Sequence, residues 1–296
     1  MDTVMFGYVA VALLGLVLGS FAGASVWRLR AWQLKSDKAA GEEVDTHEYK
    51  RLKPLTSKKL TNDRSRCLQC QHELKWYDLV PLASWISTKG TCRYCHASIG
   101  KFEPLIELGT SLLLVLYYQY WLTAYGVGAW IPLIIGIIVI VMVVILFAYD
   151  AKWFLLPDAI VFPLIAIGLG VAVATIVTSN SPEIALISTI GAILILSGLY
   201  LGLWLVSAGQ WIGFGDVKLG LVLALLLSDF QLAFLTLFLA NLLGVVIVLP
   251  GLMTKKITRK SHVPFGPLLI VGFFISLFYG HQLIDAYLQF ATTLML

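Results

Sequence analysis

The sequence predicts an all-α integral membrane protein, a bundle of about eight transmembrane helices with one sizeable polar loop. Three observations predict it. Apolar residues make up 59% of the 296 residues and charged residues only 13%, far from the balance of a water-soluble domain of this length. The apolar residues gather into stretches close to the ~20 helical residues that cross a hydrocarbon core. Runs such as PLIIGIIVIVMVVILFAY also lack the alternation of barrel strands, and only helices and closed barrels satisfy their backbone in lipid.

In chain order the spans are expected near 4–26, 104–122, 130–149, 159–178, 184–208, 230–252 and 264–281, with a shorter one at 216–228. The first is read as a true span rather than a cleavable signal, because no basic segment precedes it and its apolar run is too long for a signal-peptide core. Orientation follows the basic residues, which stay on the cytoplasmic side of span ends. Residues 27–103 hold 15 of the 21 Lys and Arg, and TKKITRKSH holds Lys255, Lys256, Arg259 and Lys260. The remaining two, Lys152 and Lys218, border span ends. Eight spans with the N-terminus outside place all of these on one side, while the opposite loops TAYGVGAW, SNSPE and SD carry none. Without the short span at 216–228, Lys255 to Lys260 would fall on the wrong side. The net charge of +4 is therefore a topological signal in a lipid-embedded chain and calls for no nucleic acid.

The domain division that follows is a first transmembrane helix at 1–26, a cytoplasmic loop domain at 27–103 and a transmembrane bundle at 104–296. All four cysteines lie in the loop, as CLQC (Cys67, Cys70) and CRYC (Cys92, Cys95). Paired CxxC turns at this spacing suit a four-thiolate zinc site, each turn aiming two sulfurs at one tetrahedral centre. Disulfides are not expected in the reducing cytosol, and a closed four-sulfur site leaves no open position for water, so the zinc is read as structural. His72 and His96 follow the two pairs and are read as solvent-facing bystanders. The stretch 35–59 mixes charges with few apolar residues and is expected to be a flexible linker or a solvated helix.

Carboxylates at the ends of spans are costly and invite a functional reading. Asp150 and Asp158 bracket YDAKWFLLPD, and Asp216 sits in GFGD. All three fall at cytoplasmic span ends in the predicted topology. Asp158 follows Pro157 and opens a span, a position where Asp commonly caps a helix. Asp150 and Asp216 are read together. Two carboxyl groups held close share a proton, so that one activates water while the other protonates a carbonyl or leaving amine. That is aspartic protease chemistry. Gly213 and Gly215 would let a substrate strand approach the acid closely. Lys218 is two residues from Asp216 and does not face it on a helix.

With these residues in order, the sequence resembles the type IV prepilin peptidase family, membrane aspartic proteases of the GxGD group. The resemblance runs over nearly the whole chain: GSF at 19–21 with Arg28 following, SRCLQC, LVPLASW, GTCRYC, PLIELG, YDAKWFLLPD, GFGDVKLG and VPFGPLL. It implies an endopeptidase of the bacterial inner membrane that cuts type IV prepilins or pilin-like secretion subunits on the cytoplasmic face, after the glycine ending a basic leader. Many members also methylate the new N-terminal amine with S-adenosylmethionine. The resemblance carries the catalytic pair onto Asp150 and Asp216, and the tetracysteine site onto Cys67, Cys70, Cys92 and Cys95. Two departures bear on methyl transfer rather than on cleavage. Ala22, Gly23 and Ala24 follow GSF where the family usually has Leu-Asn-Val, and the linker at 31–66 is long.

Two other classes of function compete. A proton- or cation-coupled transporter also uses paired membrane carboxylates, but predicts acids near the midplane and an inverted repeat; here the acids sit at span ends and the halves do not repeat. A docking module on a membrane anchor would leave Asp150 and Asp216 without a task.

Overall fold

A computed structural model describes residues 2–56, 64–253 and 264–295. The basic loop at Lys255 to Lys260 that supports the predicted topology lies outside the described residues, as does Val263.

Every predicted span coincides with helix. They are α1 (Asp2–Ala39), α4 (Phe102–Ala124), α5 (Trp130–Trp153), α6 (Asp158–Thr178), α7 (Pro182–Ile193) running through a π-helical turn at Leu194–Gly198 into α8 (Leu199–Ser207), α9 (Phe214–Leu227), α10 (Phe230–Met253) and α11 (Phe265–Met295). Two short helices, α2 (Thr46–Leu52) and α3 (Ala83–Ser87), belong to the polar loop. Seven of the helical segments are long and apolar enough to cross a membrane; the chain is a multi-pass membrane protein. The exception is α9, whose 14 residues span about 21 Å at the α-helical rise, short of a ~30 Å hydrocarbon core. Among the described residues there is no strand, only two isolated bridges in the loop.

The chain folds as two units, Met1–Ala148 and Tyr149–Leu296. Within the first, α1 and α4 pack closely because small residues line their contact. A Cβ on Gly15 would lie 2.5 Å from the Ser111 Cα, and one on Gly19 2.6 Å from the Glu107 Cα. Between apolar helices in lipid, this close approach and its dispersion contacts replace the hydrophobic drive available in water. The Ser111 hydroxyl adds an interhelical hydrogen bond to the Ala12 carbonyl at 2.9 Å.

Of the stretch 35–59, residues 57–59 lie outside the described residues, while 35–39 continue α1 and 46–52 form α2, largely facing solvent as one of the two readings expects. α2 is capped by Asp45, whose Oδ1 accepts the His47 and Glu48 amides at 2.8 and 3.1 Å. Leu52 at its end and Leu55 beyond it are buried with Ala31 and Leu34 of α1, ringed by Trp27, Val44, Tyr49 and Leu68. Few apolar residues suffice because the long C-terminal extension of α1 supplies the other half of this core.

The second unit is built around α9. Val217, Leu219, Val222, Leu223 and Ala224 are at most 5% exposed, so this short helix is walled by protein. Its closest neighbour is the π-helical turn: a Cβ on Gly220 would collide with the Leu196 carbonyl, and the Ser197 hydroxyl donates to the Val217 carbonyl at 3.0 Å. Gly220 makes the tight helix crossing, whereas a Cβ on Gly213 would meet only the Gly215 nitrogen, at 3.9 Å, and one on Gly215 would stand 3.2 Å from the Leu156 side chain.

Candidate active site and metal centre

Asp150 lies in the last turn of α5 and is 5% exposed. Asp216 lies in the first turn of α9 and is half-buried. The fold brings the two within electrostatic range of each other, with the Gly266 amide directed at the Asp150 carboxyl. Asp150 Oδ2 is buried without a hydrogen-bond partner, and a Cβ on Gly266 would stand 2.6 Å from it. Phe265-Gly266 opens α11, so the start of that helix forms one wall beside Asp150. A side chain at 266 would displace the carboxyl.

Asp158 is not in this pair, and it does not cap its helix either. Pro157 is the N-cap of α6 and no side chain caps it; the Asp158 carboxylate instead pairs with the Lys218 ammonium. The capping expectation failed because a cation from α9 competes for the same oxygens and an ion pair is the stronger partner. Lys218 also lies 5.5 Å from the Phe162 ring centroid and 5.7 Å from that of Phe214, so it bridges the first turns of α6 and α9.

Tyr200 on α8 was not singled out from the sequence, where it sits in the apolar run LSGLYLGLW. It is 4% exposed, its hydroxyl is buried without a hydrogen-bond partner, and its ring packs edge-on to Phe265 with centroids 5.5 Å apart. Glu107 is a second omission. It is 7% exposed on α4, and its Oε2 accepts the Leu82 amide at 2.8 Å. That bond explains in physical terms why PLIELG and LVPLASW occur together: a buried carboxylate on the first pins the backbone of the second.

The four cysteine sulfurs converge, all within 4.8 Å of one another. A zinc ion with four Zn–S bonds of ~2.3 Å needs sulfurs about 3.8 Å apart, and Cys67 and Cys95 stand at 3.8 Å. The two halves are built alike. The residue after each pair, Gln71 or His96, takes a left-handed backbone at φ 60 and 57, and its amide returns to the carbonyl of the first cysteine, Cys67 or Cys92, at 3.0 and 2.9 Å. Burial raises the Cys92 thiol, but the Cys95 and Tyr94 amides directed at its sulfur outweigh this and bring it down to about 7. A thiol so poised gives up its proton readily to a metal. The donor set therefore fits zinc. His72 and His96 are both exposed and outside the cluster, although the His72 ring stacks on Tyr94 with centroids 3.7 Å apart.

With this geometry in hand, the chain can be set beside known proteins. Residues 13–121 match the bacterial peptidase A24 N-terminal domain, and residues 137–249 match the type IV leader peptidase family. A protein of Pseudomonas aeruginosa named prepilin leader peptidase/N-methyltransferase is 31% identical over 284 residues, covering 94% of this chain and 92% of that protein. A protein of the same name from Stutzerimonas stutzeri is 31% identical, covering 94% and 93%, and one from Xanthomonas campestris is 29% identical, covering 96% of both. No solved structure matches. Similarity of this degree across both units makes the chain a member of the type IV leader peptidase family.

Proposed function

We propose that this chain is a membrane aspartic endopeptidase that removes the basic leader from type IV prepilins or pilin-like secretion subunits, with Asp150 and Asp216 as its catalytic pair. The observation that carries the reading is the pair itself: one buried carboxyl at the end of α5 and another at the start of α9, within electrostatic range of each other. Neighbouring carboxyls of this kind hold one proton between them. The ionised member takes a proton from water as the water oxygen bonds to the scissile carbonyl carbon. The protonated member then supplies the proton that lets the C–N bond break to an amine.

The division into a first helix, a loop domain at 27–103 and a peptidase bundle at 104–296 fits this assignment, since both aspartates fall in the bundle. The orientation that suits it has the N-terminus outside and both the loop and the aspartates at the cytoplasmic face of the inner membrane, where a basic leader would remain. Zinc on Cys67, Cys70, Cys92 and Cys95 has a structural role. The chain also methylates the new N-terminal amine, with S-adenosylmethionine supplying an electrophilic methyl when bound. Glu103 suits a cationic donor of this kind: its Oε1 accepts the Trp27 indole N–H at 3.1 Å and its Oε2 is buried without a hydrogen-bond partner.

The test is leader cleavage by the purified, lipid-inserted chain. Wild type should shorten a prepilin by its leader, whereas Asp150→Asn and Asp216→Asn should each insert normally and leave it uncut. Cleavage at the wild-type rate by either variant would refute the pair. Mass spectrometry of the product, with S-adenosylmethionine present, reads the added methyl.

A further inference from the structure

Tyr200 sits level with Asp216, and the contacts on either side of it fix that position. On one side the π-helical turn crosses α9 at the Leu196 carbonyl and Gly220. On the other, the Trp204 and Phe214 rings pack with centroids 5.2 Å apart. Because 196 meets 220 and 204 meets 214, the two segments run antiparallel. Residue 200, midway along one, must face the part of α9 just beyond Phe214, where Asp216 lies. Asp216 lies within electrostatic range of the Tyr200 hydroxyl. From its other edge Tyr200 packs on Phe265, the residue before the glycine that faces Asp150. The tyrosine thus touches the wall beside one aspartate and stands level with the other.

The register of this side chain depends on the π-helical turn at Leu194–Gly198. One extra residue in the turn rotates everything after it by about 100° relative to an uninterrupted α-helix. Such insertions recur at functional sites. Here it lets Ser197 donate to the Val217 carbonyl while Tyr200, three residues on, is turned inward. A buried phenol in an apolar bundle is costly when its hydroxyl has no partner, and a phenylalanine would fill the same space without that penalty. Among the described residues, neither Tyr200 Oη nor Asp150 Oδ2, both buried, has a hydrogen-bond partner.

We propose, on the basis of the peptidase reading above, that the Tyr200 hydroxyl is a third catalytic group, a neutral hydrogen-bond donor to the oxygen of the scissile peptide carbonyl. As water bonds to the carbonyl carbon, the C=O π electrons move onto that oxygen. The phenol O–H stabilises the charge without giving up its proton, and the proton for the leaving amine still comes from the aspartate pair. A donor that strengthens only as charge develops lowers the barrier rather than tightening substrate binding.

The test uses the full chain in lipid with a prepilin substrate. Tyr200→Phe keeps the ring against Phe265 and removes one hydroxyl. Its kcat should fall on the order of a hundredfold while KM stays within about threefold, the pattern of a lost transition-state donor. A kcat within about threefold of wild type would overturn the proposal. A binding measurement on the same variant is independent of turnover. Wild type should prefer a leader peptide whose scissile amide is replaced by a hydroxyl-bearing tetrahedral mimic over one with a reduced amide, and Tyr200→Phe should lose that preference. An unchanged preference would also overturn it. Should Tyr200→Phe fail to insert, difluorotyrosine placed at 200 preserves the shape and makes the neutral phenol a stronger hydrogen-bond donor. The preference for the hydroxyl-bearing mimic should then rise at a pH where the phenol is neutral, and an unchanged preference counts against the proposal. Failure here with Asp150→Asn and Asp216→Asn inactive sinks the Tyr200 role alone; cleavage by those two variants sinks the peptidase pair.

Discussion

Lys218 of α9 pairs with Asp158 at the start of α6, and not with Asp216 two residues before it on its own helix. Residues two apart on a helix do not face each other, so the carboxylate within reach of Lys218 comes from outside α9. The pair ties the segment leaving Asp150 to the helix bearing Asp216. Because the Asp158 side chain is 56% exposed, its contribution to stability is small, ~0.2–1 kcal/mol. Its value is positional. Lys218→Asp should lower cleavage at least tenfold through an added like charge beside Asp158 and Asp216, and the double exchange Lys218→Asp with Asp158→Lys should recover most of the loss. A double exchange no better than the single change would show that the pairing does not matter. Asp158→Asn alone should cost severalfold at most.

Gly266 leaves room for the Asp150 carboxyl, and that room is a requirement that a substitution can test. With a Cβ there only 2.6 Å from Oδ2, Gly266→Ala must push the carboxyl aside. A displacement of about 1 Å at a reacting group costs on the order of a hundredfold in rate. The expected result is a large fall in kcat with normal insertion. Gly170→Ala, where a Cβ would meet nothing within 4 Å, is the matched control and should cleave as wild type does.

What the sequence could and could not disclose follows from how local each feature is. The spans were legible because hydropathy over about 20 residues is a property of the segment itself, and the cysteine cluster because CxxC spacing is a local constraint on two sulfurs. Asp150 and Asp216 were legible because acids at span ends are rare enough to stand out. Tyr200 was not, since a tyrosine in an apolar run reads as ordinary packing until a π-helical turn redirects it. The partner of Lys218 was equally hidden, lying 60 residues away in the chain. Gly220 and Gly266 could not be separated from Gly213 and Gly215, because a glycine discloses its purpose only through the atom that faces it.

Zinc should copurify at one ion per chain, and Cys67→Ser or Cys92→Ser should release it. Removing the ion leaves four sulfurs within 4.8 Å of one another with nothing to hold them, in a loop whose apolar core is small. Protease sensitivity across residues 64–101 should therefore rise before cleavage by the aspartate pair is lost. Metal analysis finding no zinc in a reduced, folded preparation would remove the centre. Equal protease sensitivity with and without zinc would remove its structural role.

The last prediction concerns the buried acid on α4. Leu82 stands at φ 57 and ψ −48, the centre of a γ-turn in which the Ala83 amide donates to the Pro81 carbonyl at 2.6 Å, a strained conformation that costs ~1–3 kcal/mol. The Glu107 carboxylate offsets this by accepting the Leu82 amide at 2.8 Å, a hydrogen bond to a charged group worth ~1.5–3 kcal/mol. The two magnitudes are close, so the turn at 80–83 depends on its acceptor. Glu107→Ala should free that turn, raising amide exchange across residues 79–90 by at least tenfold while α1 and α4 remain protected. Adding Leu82→Gly to Glu107→Ala removes the cost of a positive φ at this turn, at a smaller entropic penalty of ~0.5–1 kcal/mol, and should restore part of the protection. If Glu107→Ala exchanges as slowly as wild type, the carboxylate is not what holds the loop to the helix.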